Sequence, residues 1–287
     1  MNIKNIDEII FETEEKHRKG LDTEDSALRI AASVTKSLKA EIVQRVIPPS
    51  KSQVDECDAI ILTDSCVMIL EIKRIGGNII NFSLDTETLS VEKGKQIVKI
   101  ENPIIKLRRK CDNFRNYINQ EEDWKRLKYF FKLADIGESI PVVPMLCFGP
   151  STDYDYLDTN SNIIVCTTRT LQRSLVNFLE GKKSVIGAYR YAKQIVSNWR
   201  IAGRFTIKPK SGFVRAVPTK AYGKIVAFED VASIEGKNNG QIIITYRDKV
   251  RKTTREIKQI VFKLNINRMW EEVLVDAGRT FSWRAGG

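Results

Sequence analysis

The segment Asp58-Ala-Ile-Ile-Leu-Thr-Asp-Ser-Cys-Val-Met-Ile-Leu-Glu71-Ile-Lys73 constrains the fold more than any other stretch of this 287-residue chain. Two apolar runs flank Thr63-Asp64-Ser65, residues suited to a tight turn, so the segment predicts a β-hairpin. Val67-Met-Ile-Leu70 is apolar at every position, the pattern of a strand buried on both faces. With the turn centred on Asp64 and Ser65, Asp58 falls directly opposite Glu71. Like charges opposed on a ladder repel unless something positive lies between them. Lys73 follows Glu71 by two residues and shares its face. Two carboxylates and an ammonium at the end of an apolar hairpin suggest a divalent-metal site for phosphodiester hydrolysis. A satisfied ion pair, Glu71 with Lys73 or a nearby arginine, is the competing reading, since buried charges need partners in either case.

These residues resemble the PD-(D/E)xK nuclease superfamily and, within it, the nuclease-related domain (NERD) family. That family's pattern is a helix with a glutamate, a hairpin carrying D…ExK, a glycine-rich turn, and Asn-Pro before a long helix. Here the corresponding residues are Gly20-Leu-Asp-Thr-Glu24, Asp58…Glu71-Ile72-Lys73, Gly76-Gly77 and Asn102-Pro103. A strand from Pro141 to Phe148 and a strand–helix unit from Ile163 to Leu179 extend the likeness. One position departs: Lys106 stands where the family commonly has a glutamine. The resemblance implies an α/β fold, a nuclease-like central mixed sheet flanked by helices. It also implies Mg²⁺ or Mn²⁺ held by Asp58, Glu71 and the main-chain carbonyl of Ile72. Lys73 would orient the attacking water, and Glu24 would lie near the metal, directly or through water. The catalytic set is then Asp58, Glu71, Lys73 and Glu24.

Glu-x-Lys alone is a weak signal, for it recurs at Glu14, Glu235 and Glu256. The Glu256 copy even has Asp248 upstream, but it lies in a polar, alternating stretch without a preceding apolar strand. Asp55 and Asp64 sit before the hairpin and in its turn, away from the Glu71 end.

The net charge of +11 is unevenly divided. Residues 200–287 hold 18 Lys and Arg against 8 Asp and Glu, whereas residues 1–199 hold 29 against 28. Such one-sided basic charge is the footprint of a polyanion-binding surface, although a solvated small β-domain would show it too. Arg247, Lys249, Arg251, Lys252 and Arg255 are the densest cluster. They would contact the phosphate backbone, which gives affinity without sequence choice.

The chain therefore reads as a catalytic domain over 1–199 and a basic, β-rich domain over 200–287 that helps bind nucleic acid, DNA by preference. In the first, helices are expected over 24–39 (after a break at Gly20), 103–119, 126–133, 170–179 and 184–199. In the second, short strands are expected near 212–217, 222–234, 240–246 and 257–266, forming a small barrel or sandwich. The segment 149–156 reads as a loop, as does Pro48-Pro49-Ser-Lys-Ser.

Other chemistries lack material. The single histidine, His17, sits in a charged stretch, and no GxxxxGK[ST] loop is present. Five scattered cysteines without CxxC spacing argue against a disulfide framework or a zinc site. No apolar run approaches the ~18 residues that cross a membrane, and the N-terminus lacks signal-peptide character, so the cytoplasm is expected. A metal-dependent nuclease is the leading reading. A non-catalytic nucleic-acid-binding or adaptor protein on a nuclease-like fold is the alternative.

Overall fold

The computed structural model describes residues 4–6, 14–38, 40–47, 56–118, 141–156, 162–182, 192–193, 196, 200–210, 212–266 and 269–285. The helix expected over 126–133, the loop at 48–52 and nearly all of the helix expected over 184–199 lie outside them. The chain is mixed α/β and divides into two compact units. One comprises Lys19–Gln44 and Cys57–Ser197, the other Met1–Arg18, Arg45–Glu56 and Asn198–Gly287.

The first half of the chain follows the order β1 (Lys4–Asn5), α1 (Glu14–Ser37), β2 (Glu41–Ile47), β3 (Cys57–Leu62) and β4 (Val67–Lys73). β5 (Gly77–Phe82), β6 (Thr88–Lys93), β7 (Gln96–Glu101), α2 (Pro103–Ile118), β8 (Val142–Phe148), β9 (Thr152–Tyr156), β10 (Ile164–Thr167) and α3 (Leu171–Leu179) follow. α1 runs straight through Gly20, so the expected break is absent. Glycine in a helix interior costs about 1 kcal/mol and does not forbid the helix.

In the unit that holds the hairpin, the main sheet runs β10-β8-β4-β3-β2. β3 and β4 pair antiparallel, and β4 and β8 pair parallel. Every residue of β3 is buried, and so is every residue of β4 before Lys73. Hydrogen bonds across the turn explain how a short polar loop closes so apolar a hairpin. Thr63 Oγ1 accepts from the Cys66 amide at 2.9 Å, and the Thr63 amide donates to the Cys66 carbonyl at 3.1 Å. One face of the sheet presents Ala59, Ile61, Met68, Leu70 and Ile72 to Ala27, Leu28, Ala31 and Val34 of α1 and to Leu171 and Leu175 of α3. The alternating residues point to the other face, and α2 packs against β4 and β8.

A second sheet of four strands, β7-β6-β5-β9, completes this unit. The segment read as a loop after Gly149 includes β9, which pairs parallel with β5. Its Gly-Pro-Ser-Thr start is a turn, but Tyr154 packs its ring near Phe82 and Phe148 and so draws the strand in. Gly77 shows why a glycine opens β5. Its φ is +109°, and a β-carbon there would run into the Glu92 carbonyl oxygen.

The other unit is β-rich. Its strands are β11 (Arg200–Ile201), β12 (Gly203–Ile207), β13 (Val214–Tyr222), β14 (Val231–Gly236), β15 (Ile242–Tyr246), β16 (Arg251–Thr254), β17 (Gln259–Ile266), β18 (Met269–Asp276) and β19 (Phe281–Ala285). Nine strands form one sheet, β1-β18-β17-β13-β12-β19-β14-β15-β16. Phe205, Phe262, Phe281 and Trp283 lie in its core, and the Trp283 indole donates to the Ala216 carbonyl at 2.7 Å. The expected strand over 222–234 is two strands, separated by an exposed turn and a 3-10 turn at Phe228–Asp230. β18, not expected from the sequence, pairs with β17 along its length.

Candidate metal centre

The hairpin register places the acidic residues. Ala59 pairs with Leu70 and Ile60 with Ile69, so the next step of the ladder sets Asp58 opposite Glu71. Both are buried, with exposures of 6% and 3%. Asp58 Oδ2 accepts the Ile72 amide at 2.7 Å, so a side chain takes over where the ladder ends. The N–H and C=O of one residue leave a strand on the same side, and the Ile72 carbonyl therefore faces the Asp58 edge.

Lys73 closes β4. Its carbonyl accepts the Gly149 amide at 3.0 Å, and its ammonium lies 2.5 Å from Glu71 Oε1 with the side chain 37% exposed. A second ammonium, from Lys110 on α2, lies 2.5 Å from Glu71 Oε2 and is only 8% exposed. Burial alone would push the Glu71 carboxyl up, but Lys110 and Lys73 outweigh it and hold it below its ordinary value. Burial opposes the charge on both lysines as well, yet the Glu71 carboxylate holds each ammonium above its usual pKa. Burial pushes the neighbouring Cys57 thiol up, so it stays neutral. Two ammonium groups thus converge on the Glu71 carboxylate.

Lys110 was not among the residues the sequence singled out. α2 begins at Pro103, whose missing N–H suits a first helical turn. Asn102 caps it by accepting the Ile104 amide at 3.1 Å. The Asn102 side-chain amide also donates to the carbonyls of Ser83 and Thr86, at 3.0 and 2.8 Å. The helix buries Ile104, Leu107, Cys111 and Phe114, and Lys110 flanks that stripe. A lysine set against an amphipathic helix's apolar stripe was the available signal. Lys106, at the position where the family's glutamine is expected, instead pairs with exposed Glu101 at 2.6 Å.

Glu24 lies half-buried on α1, the helix that covers the opposite face of the sheet. Its neighbour Thr23 approaches Gly149, close to the end of β4. Among the described residues no three His, Cys, Asp or Glu side chains gather as metal ligands, so the structure brings Asp58 and Glu71 together without a third acidic group. Two carboxylates and a carbonyl are all hard oxygen donors. Mg²⁺ commonly takes one or two carboxylates and completes its octahedron with water. In donor type, the set fits such an ion.

The five basic residues lie in the β-rich unit, all exposed. Arg247 and Lys249 occupy the turn between β15 and β16, Arg251 and Lys252 lie on β16, and Arg255 follows it. β16 is an edge strand. Lys252 sits over the Tyr246 ring at 5.2 Å, and Arg251 lies 3.9 Å from Glu235.

No described helix is long and apolar enough to cross a membrane. Searches against curated proteins and against solved structures return no match. Residues 19–149 match the family model of the nuclease-related domain. That segment holds most of α1, the β3–β4 hairpin, Asn102-Pro103, α2 and the whole of β8. Over residues 19–149, somewhat under half of its length, the chain is similar to the nuclease-related domain family.

Proposed function

We propose that the chain is a divalent-metal-dependent nuclease of the PD-(D/E)xK type, hydrolysing phosphodiester bonds in DNA. The observation that carries this reading is the opposition of Asp58 and Glu71 at the end of a buried hairpin in a nuclease-related domain. Buried carboxyl groups are costly unless they are partnered, and two set face to face at a strand end support a reading in terms of chemistry.

Asp58, Glu71 and the Ile72 carbonyl would hold Mg²⁺ or Mn²⁺. When bound, that ion supplies an acidified water and offsets charge on the attacked phosphate. Asp58 is steadied by the Ile72 amide and Glu71 by two ammonium groups, so both carboxylates are held in place before substrate arrives. Lys73 is the more exposed of the two lysines. It presents a cation that can orient water and donate to a phosphate oxygen. The resemblance would also set Glu24 near the ion, directly or through water. Arg247, Lys249, Arg251, Lys252 and Arg255 would hold the phosphate backbone from the β-rich unit.

The second reading, a nucleic-acid-binding module without catalysis, draws on one observation: both Glu71 oxygens are engaged by lysines. Thermal unfolding with and without Mn²⁺ separates the two. The nuclease reading expects Mn²⁺ to raise the midpoint in the natural protein and not in Asp58→Ala. Equal response of both proteins would favour the binding module.

A further inference from the structure

Glu71 is flanked by more positive charge than one carboxylate needs. Lys73 Nζ at 2.5 Å already neutralises Oε1, yet Lys110 reaches Oε2 at the same distance from a separate helix. The second ammonium lies in the field of both carboxyl groups, Glu71 first and Asp58 after it. It is also the buried one, 8% exposed against 37% for Lys73. α2 is fixed at its start by the Asn102 hydrogen bonds and docked on β4 and β8, so Lys110 arrives on a rigid element.

Two-metal phosphodiesterases set their ions about 3.5–4 Å apart and share carboxylate oxygens between them. Here the described residues supply no third acidic group, and Oε2 of Glu71 is occupied by an ammonium. We propose that Lys110 is the resident second cation of this site, a positioning residue that fixes the Glu71 carboxylate and limits the site to one weakly held divalent ion. The proposal rests on the reading of Asp58 and Glu71 as metal ligands. A divalent ion would add two positive charges to a site that already holds two ammonium groups. A nucleic-acid phosphodiester carries one negative charge and offsets part of that gain, so the ion and the phosphate favour one another's binding.

The test is Mn²⁺ titration of the full chain, followed by electron paramagnetic resonance, in four proteins: natural, Lys110→Met, Lys110→Gln and Asp58→Asn. Circular dichroism identifies which variants fold, and either uncharged Lys110 variant serves. The natural protein is expected to take up one Mn²⁺ per chain. Removing the ammonium is expected to tighten binding by about tenfold or admit a second ion, since one charge a few ångströms away is worth at least that much. Asp58→Asn is expected to lose the ion. Unchanged or weaker binding in folded Lys110→Met or Lys110→Gln, with an Asp58-dependent ion in the natural protein, overturns this inference and leaves the nuclease reading standing. Absence of an Asp58-dependent ion in all four overturns both.

Discussion

The Lys110 ammonium donates to Glu71 Oε2 across 2.5 Å, from a helix to the end of a strand 39 residues earlier. That bond has a stability consequence. In Glu71→Gln, Lys110 is left buried without its carboxylate, and breaking such a pair costs about 3–5 kcal/mol. Urea denaturation should show this loss. The double variant Glu71→Met with Lys110→Met removes both charges and should be closer to the natural protein than Glu71→Gln is.

The same cluster sets a pH profile. The Glu71 carboxyl is held down to about 2 from its ordinary 4.5. A depressed carboxyl contributes stability that is present above its unfolded value and is lost as pH falls through the folded one. Stability should therefore decline between about pH 4.5 and 2. Lys73 and Lys110 are raised, so their contribution is present below 10.5 and is lost only as pH rises beyond that value. Thermal midpoints across pH should show a neutral plateau with an acid fall. In Glu71→Gln the acid fall should be shallower.

Asn102 is buried and serves three partners, the Ser83 and Thr86 carbonyls and the Ile104 amide. Asn102→Ala removes a helix cap and leaves two carbonyls short of a donor. A loss of about 2–3 kcal/mol follows from the cap and the unmade bonds together. Because α2 carries Lys110, the variant should also change Mn²⁺ affinity, and a titration beside the denaturation curve checks both.

Gly77→Ala tests the backbone at the start of β5. Its φ of +109° and the Glu92 carbonyl oxygen leave no room for a methyl group. A loss of at least about 2 kcal/mol is expected. Denaturation of Gly76→Ala, at a position with more open space, supplies the comparison and should show a smaller effect.

The hairpin was legible because its information is local. Thr63, Asp64 and Ser65 fix the turn, and the apolar runs on either side then force Asp58 opposite Glu71. Asn102-Pro103 likewise marked the start of α2. Lys110 was illegible as a partner of Glu71, since that pairing exists only once α2 has docked on β4 and β8. Gly20 misled because a long helix absorbs one glycine. β18 escaped notice because Glu271-Glu272 interrupts its apolar pattern, although both residues lie on a strand fully paired with β17. β9 was masked by the turn residues that precede it, while its pairing with β5 is a long-range fact.

The basic edge predicts how nucleic acid binding responds to salt. Neutralising Lys249, Arg251, Lys252 and Arg255 together should weaken duplex binding. It should also reduce the slope of log K against log salt, by up to about 0.9 for each phosphate that the protein no longer neutralises. Fluorescence anisotropy at several salt concentrations reads that slope. An unchanged slope would mean that nucleic acid does not bind along this edge.

Metal-dependent cleavage is tested most directly by incubating the natural protein and Lys73→Ala with supercoiled, linear duplex and single-stranded DNA, in Mg²⁺, Mn²⁺ or a chelator. Metal-dependent cutting by the natural protein, reduced at least about 100-fold in Lys73→Ala, is the predicted result. Cutting that survives Lys73→Ala, or no cutting of any of the three substrates with either metal, would contradict it.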